Sequence, residues 1–306
     1  MITVGTFDGV HRGHVAVLDA VRRAAQRRGA RSIVVTFEPH PLRVVRPEKA
    51  PRLLTTAEEK HEQLERVGLD VIVHLPFTQA LAQFTAREFV QEILVDRLRL
   101  EHLVIGHDHG LGRDRSGNET ALREIGAELG YDVEVVEAVI VEGGPVSSTR
   151  IRGLLERGDV VEAATLLGRP YSIRGVVVEG ERRGRELGFP TANLQVRDPE
   201  KLLPHEGIYA TRVRTEAGQH LLGALHLGPR PTFEGASPTI EVHLLDFDGD
   251  LYGQELEVEF CDWIREIRPF RDVASLIEAM NEDCARVRAL FSAGRGACQS
   301  VGSRLD

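Results

Sequence analysis

The sequence predicts two folds in series: an N-terminal α/β domain built as a doubly wound, Rossmann-like parallel sheet, then a C-terminal antiparallel β-barrel with a terminal helix. Length is the first reason, since 306 residues is about twice the ~150 residues of an ordinary domain. The second is that apolar β-rich runs alternate with amphipathic helical segments through the first half, the pattern of βαβ units around a parallel sheet. The third is a change after Tyr171 to short alternating strands with no helices between them, which reads as a small closed barrel.

In the first half, strands are expected at residues 1–5, 32–37, 71–75, 102–105 and 133–136, and helices at 15–28, 57–67, 87–98 and 119–129. Residues 146–168 read as one helix, with Ile151, Leu154, Leu155, Val160, Val161 and Leu166 at apolar positions, stopped by Gly168-Arg169-Pro170. The domain boundary is expected there, giving domains at 1–168 and 169–292 and a small, polar, mobile tail at 293–306. In the second domain, strands are expected at 172–178, 208–214, 223–227, 239–246 and 255–260. Residues 273–291 carry a helical stripe of Leu276, Ile277, Met280, Cys284, Val287 and Leu290 that would cover one side of the barrel.

Composition removes several function classes. A net charge of −9 argues against nucleic acid as a partner, because phosphate backbones are held by clustered Lys and Arg. No apolar run approaches the ~20 residues needed to cross a bilayer, which argues against a membrane partner. Cys261, Cys284 and Cys298 are too few and too irregularly spaced for a disulfide framework or a zinc site, and no signal-peptide pattern opens the chain. A cytoplasmic location is expected, and the oligomeric state is left open.

The densest chemistry lies in Gly5-Thr6-Phe7-Asp8-Gly9-Val10-His11-Arg12-Gly13-His14, between the first strand and the first helix. Helix-start N–H groups attract anions, and Gly5, Gly9 and Gly13 let the backbone approach a nucleotide closely, with Phe7 and Asp8 beside it. His11 and His14, one helical turn apart, can both donate to an α-phosphate, where charge builds during nucleotidyl transfer. The competing reading is solvated histidines at a helix cap. At the far end of the domain, Ser147-Ser148-Thr149-Arg150-Ile151-Arg152 sets hydroxyls at a second helix start with Arg150 and Arg152 just inside, suited to the other ATP phosphates; capping with surface arginines is the alternative. Together the two motifs resemble the nucleotidyltransferase superfamily of adenylyl and cytidylyl transferases, which leaves the acceptor open.

The second domain holds Gly180-Glu181-Arg182-Arg183-Gly184-Arg185-Glu186-Leu187-Gly188-Phe189-Pro190-Thr191-Ala192-Asn193. Gly180, Gly184 and Gly188 suit a loop wrapping ATP phosphates, Arg183 and Arg185 supply charge, and Pro190 stiffens the exit. Thr191 and Asn193, two apart in extended backbone, project on one face and can converge on a hard cation, for which Mg2+ is expected. In Thr239-Ile240-Glu241-Val242-His243-Leu244, Glu241 and His243 share the face opposite the apolar residues, and Glu241 can accept a hydroxyl proton. An isolated Glu in such a strand is otherwise an outward-facing surface residue.

Three further stretches narrow the choice: Phe37-Glu38-Pro39-His40-Pro41, Gly106-His107-Asp108-His109-Gly110-Leu111-Gly112-Arg113, and Gly228-Pro229-Arg230-Pro231-Thr232-Phe233. With the motifs above and Asp250-Leu251-Tyr252-Gly253, they resemble the bacterial bifunctional riboflavin kinase and FAD synthetase family over nearly the whole chain. The resemblance implies phosphorylation of riboflavin to FMN by the barrel and adenylylation of FMN to FAD by the first domain, with ATP and Mg2+. It implies Thr191 and Asn193 on Mg-ATP, Glu241 as base, and His40 and Asp108 at the flavin of the first site. His109 and Leu111 stand where that family usually has phenylalanines, and His226 where it commonly has Asn. The alternatives are a nucleotidyltransferase for another phosphorylated acceptor, with the barrel a scaffold, and a flavin-binding regulator without turnover.

Overall fold

The structure is a computed structural model that describes residues 1–180, 184, 187–228 and 239–294. Of the expected features, Arg183, Arg185, positions 229–233 and the tail from 295 onward lie outside the described residues. The chain forms two compact units, Met1–Ser148 and Thr149–Asp306.

In the first unit, five parallel strands are β1 (Ile2–Val4), β2 (Ile33–Glu38), β3 (Val71–Pro76), β4 (His102–Gly106) and β5 (Asp132–Val136), in the order β3-β2-β1-β4-β5. The winding reverses beside β1, so the switch point where open α/β sheets take ligands lies at the end of β1, where the His11 and His14 segment begins. Side chains alternate between two buried faces. Ile2, Val4, Val35, Phe37, Leu103 and Ile105 pack with Phe89 and Leu122. Val34 and Val104 face the other way, against Leu18 and Leu64 and against Val17 and Val21.

Seven helices frame the motifs: α1 (Arg12–Arg28), α2 (Pro41–Val45), α3 (Ala57–Val67), α4 (Gln79–Ala82), α5 (Ala86–Phe89), α6 (Glu119–Leu129) and α7 (Ser148–Leu155). The helix expected at 87–98 is instead the short α5 running into a wider π-helical turn at Val90–Val95. A short hairpin not read from the sequence, β6 (Ile140–Val141) with β7 (Gly144–Pro145), leads to α7.

In the second unit, α8 (Val160–Leu167) follows α7 after a break, so the single helix expected over 146–168 is two helices. Gly158 makes the break: its φ is +83°, and a Cβ there would fall 2.8 Å from the Trp263 ring. Because α8 packs on barrel strands, the compact units divide ahead of the boundary expected at 168. Six antiparallel strands, β8 (Tyr171–Val178), β9 (Thr191–Val196), β10 (Gly207–Thr215), β11 (His220–Gly228), β12 (Thr239–Leu244) and β13 (Glu255–Arg265), close in the order β10-β11-β12-β9-β8-β13. Burial alternates along β8 and β12, placing Ile240, Val242 and Leu244 inward and Glu241 and His243 on the other face. The terminal helix α9 (Val273–Ser292) lays Ile277, Met280, Cys284, Val287 and Leu290 on Ile208, Ala210 and Ala224, outside the barrel. A two-pronged pair from Arg265 to Asp283, at 2.8 and 2.6 Å, ties it to β13. Cys284 is a buried free thiol.

Candidate functional sites

The turn after β1 is built to hold its histidines in place. His11 caps α1, with Nδ1 accepting the backbone N–H of His14 at 3.3 Å. A backbone nitrogen only donates, so the neutral ring carries its proton on Nε2, which is then a donor. The His14 ring stacks on His11 at 3.6 Å between centroids and meets the Phe7 ring edge-on at 5.1 Å. Gly13 permits this: a Cβ would fall 3.2 Å from the His11 ring and 3.4 Å from the Val146 carbonyl. No acidic residue stands in the first turn of α1 to offset the positive end of the helix.

The distant serine motif is brought to the same turn. Ser148 Oγ donates to the Asp8 carbonyl at 2.9 Å, joining residues 140 positions apart. Ser147 is half-buried beside it and Thr149 is exposed. Further along α7, Arg150 pairs with Glu162 at 3.0 Å, while Arg152 is half-buried. Asp8 is 4% exposed, and its carboxylate accepts the N–H groups of Leu54 and Thr55 and the Thr55 hydroxyl at 3.0–3.2 Å. Thr55 Oγ1 in turn accepts the Gly9 N–H at 3.0 Å. The Asp8 carboxylate therefore fixes the shape of the turn through the 54–55 loop.

Thr55 and Lys60, which no motif in the sequence marks, also support this turn. Lys60 is 7% exposed, donates to the Phe37 carbonyl at 2.9 Å and lies 3.5 Å from Glu38. Burial lowers its pKa from the ordinary lysine value, with Glu38 and Asp8 opposing the shift. The only hint was Thr56 and Glu59, which form a capping box at the start of α3. That local signal marks a helix start; it does not announce a tie to Asp8.

The two loops expected to meet a flavin both leave strand carboxyl ends. His40 caps α2, Nδ1 accepting the Leu42 N–H at 3.2 Å. Asp108 is exposed, and its backbone carbonyl accepts from Arg115 at 2.6 Å. His109 Nε2 is buried without a hydrogen-bond partner among the described residues, and burial, helped by Arg115, brings its pKa down to about 4. Leu111 belongs to the core. No three His, Cys, Asp or Glu among the described residues gather as a metal-binding cluster.

In the barrel, β9 runs between β12 and β8, pairing Thr191 with His243 and Asn193 with Glu241. Directly opposed side chains of antiparallel strands share a face. Thr191 Oγ1 accordingly donates to Glu241 Oε2 at 3.3 Å. Gly180 and Gly184 lie against Asn193 and Thr191: a Cβ on Gly180 would fall 2.2 Å from Asn193 Nδ2, and one on Gly184 would fall 3.4 Å from Thr191 Oγ1. Gly188 holds a φ of +86°, Phe189 is buried, and the Pro190 carbonyl accepts from His243 Nδ1 at 2.9 Å. Hydroxyl, amide and carboxylate oxygens, groups of the kind that hard cations take, thus gather beside Gly180 and Gly184.

Two family models match the chain, one described as FAD synthetase over residues 1–150 and one described as riboflavin kinase over 167–291. Among similar proteins, the bifunctional riboflavin kinase/FMN adenylyltransferase of Pseudomonas fluorescens is 42% identical over 94% of this chain and 92% of its own. The proteins of that name from Escherichia coli (strain K12) and Bacillus subtilis (strain 168) are 36% and 33% identical, each over 95% of this chain and 92% of theirs. A crystal structure described as a macrolide-efflux protein from Streptococcus pneumoniae matches with a TM-score of 0.86 and 32% identity, over 94% of this chain and 93% of that one. No helix among the described residues here is long and apolar enough to cross a membrane.

Proposed function

This chain belongs to the bifunctional riboflavin kinase/FMN adenylyltransferase family, and from that premise we propose which of its residues perform each transfer. The N-terminal FAD synthetase domain forms FAD from FMN and ATP, and the C-terminal riboflavin kinase domain forms FMN from riboflavin and ATP.

For adenylyl transfer, His11 and His14 are the donors that meet charge on the α-phosphate as the FMN phosphate attacks and pyrophosphate leaves. Gly5, Phe7, Gly9, Gly13 and the Ser147 to Arg152 motif hold the nucleotide, Asp8 shapes the turn, and His40 and Asp108 meet the flavin. The Ser148 to Asp8 bond supports this reading, since it joins the two phosphate motifs. For phosphoryl transfer, Glu241 takes the proton of the terminal ribityl hydroxyl as that oxygen attacks the γ-phosphorus and ADP leaves. Gly180, Gly184, Gly188 and Pro190, with Arg183 and Arg185, hold the ATP of this site.

Mg2+ is the expected ion, held by Thr191 and Asn193 with the phosphates; it would neutralise charge building on the transferred group. The functional boundary is kept at 168, the riboflavin kinase match beginning at residue 167. A cytoplasmic location follows from the use of ATP by both reactions. The observation that carries the kinase assignment is the Thr191 to Glu241 hydrogen bond, which sets the base beside a proposed metal ligand. Its test is a magnesium titration of each reaction. Asn193→Ala should raise the Mg2+ needed for half-maximal FMN formation by about tenfold or more and leave the magnesium dependence of FAD formation where it was. An unchanged FMN titration, or equal shifts in both, counts against Asn193 as a ligand.

A further inference from the structure

Glu241 stands in the middle of a row of three polar side chains on adjacent strands, opposite Asn193 of β9 on one side and His226 of β11 on the other. Opposed Cβ atoms in such rows lie about 4.5–5.5 Å apart on one face. The β9 side is the one proposed to hold the phosphates: Thr191 donates to Glu241 at 3.3 Å, and Gly180 and Gly184 rest on Asn193 and Thr191. Phosphoryl transfer aligns the attacking and leaving oxygens on opposite sides of phosphorus. Were nucleotide and metal held toward β9, the alcohol would arrive from the β11 side of Glu241. There β11 presents His226.

The imidazole lies along β11, for a Cβ on Gly228 would fall 2.8 and 3.0 Å from its Cε1 and Nε2. Burial lowers its pKa from the ordinary value; Glu241 and Glu206 oppose this, and Arg265 adds to it. The Arg265 charge is itself met by Asp283. That shift favours the neutral ring, in which one nitrogen donates and the other accepts, matching an alcohol group that does both.

We propose that His226 is the acceptor-side binding residue of the kinase site, hydrogen-bonding a secondary hydroxyl of the chain whose terminal alcohol is phosphorylated, and so selecting a polyhydroxylated chain over a plain alkyl alcohol. This rests on Glu241 being the base.

The test compares riboflavin with a flavin bearing a hydroxypentyl side chain, using the full-length protein. Wild type should prefer riboflavin in kcat/KM. His226→Ala should raise the riboflavin KM about three- to tenfold, the scale of one neutral hydrogen bond, with the ATP KM and the hydroxypentyl reaction unmoved. His226→Asn, which keeps a donor and an acceptor, should recover part of the loss. Equal losses with both acceptors, or a rise in the ATP KM, overturn the proposal. So does a wild-type enzyme indifferent to the secondary hydroxyls, a result that decides the matter even where His226→Ala fails to fold. Glu241→Gln separates the two claims: if that variant still phosphorylates riboflavin, the base assignment falls. If it is inactive while His226 proves indifferent to the acceptor, only the role of His226 falls.

Discussion

Glu241→Gln should lower the rate of FMN formation by about 100- to 10,000-fold, the usual cost of losing a positioned base, while FAD formation from supplied FMN continues at the wild-type rate. The substitution keeps the shape of the side chain and an oxygen to accept from Thr191, so the barrel should keep its packing. What it removes is the negative charge and the proton-accepting ability beside the attacking hydroxyl. Glu241 has no apolar burial to lose, because the inward positions of β12 are Ile240, Val242 and Leu244. Separate assays of FMN and FAD formation with circular dichroism as a fold check give the result; loss of FAD formation in the folded variant would mean that Glu241 serves more than the kinase reaction.

His14→Ala should do the reverse, lowering FAD formation by about 100-fold or more, the typical effect of removing one preorganised donor to a charged transition state, with riboflavin phosphorylation intact. The His14 ring is stacked on His11 and meets Phe7 edge-on, so its truncation also frees the His11 ring to move. His14→Gln, which retains a donor, should fall between wild type and Ala. A rise in the FMN KM with kcat unchanged would argue for a binding role instead of charge stabilisation.

Much of the fold was legible because it rests on local periodicity. The β1 to β5 strands and the α1, α3 and α6 helices carry apolar repeats of the expected period, and Gly29, Gly68 and Gly130 end those helices in left-handed backbone. What escaped was set by contacts distant in sequence. The 146–168 stretch has an unbroken helical pattern, yet Gly158 turns it because Trp263 sits where a side chain would be. Strand β9 hid behind the Pro190 and glycine punctuation of its loop, and its pairing with β12 is what sets Thr191 and Asn193 beside Glu241.

The sites follow the same division. His11 and His14 stood out through their spacing on a glycine-flanked turn, and Thr191 and Asn193 through alternation. The burial of Asp8 against Leu54 and Thr55 had no local signal, since its partners are more than 40 positions away. His226 gained its place only from the β11 to β12 register.

Mixing the two full-length variants, Glu241→Gln and His14→Ala, with riboflavin, ATP and Mg2+ tests the central claim most directly. Alone, the first should make little of either product from riboflavin and the second should accumulate FMN with little FAD; together they should make FAD readily. A mixture that accumulates FMN without FAD, or a folded single variant lacking both activities, would contradict two independently working sites.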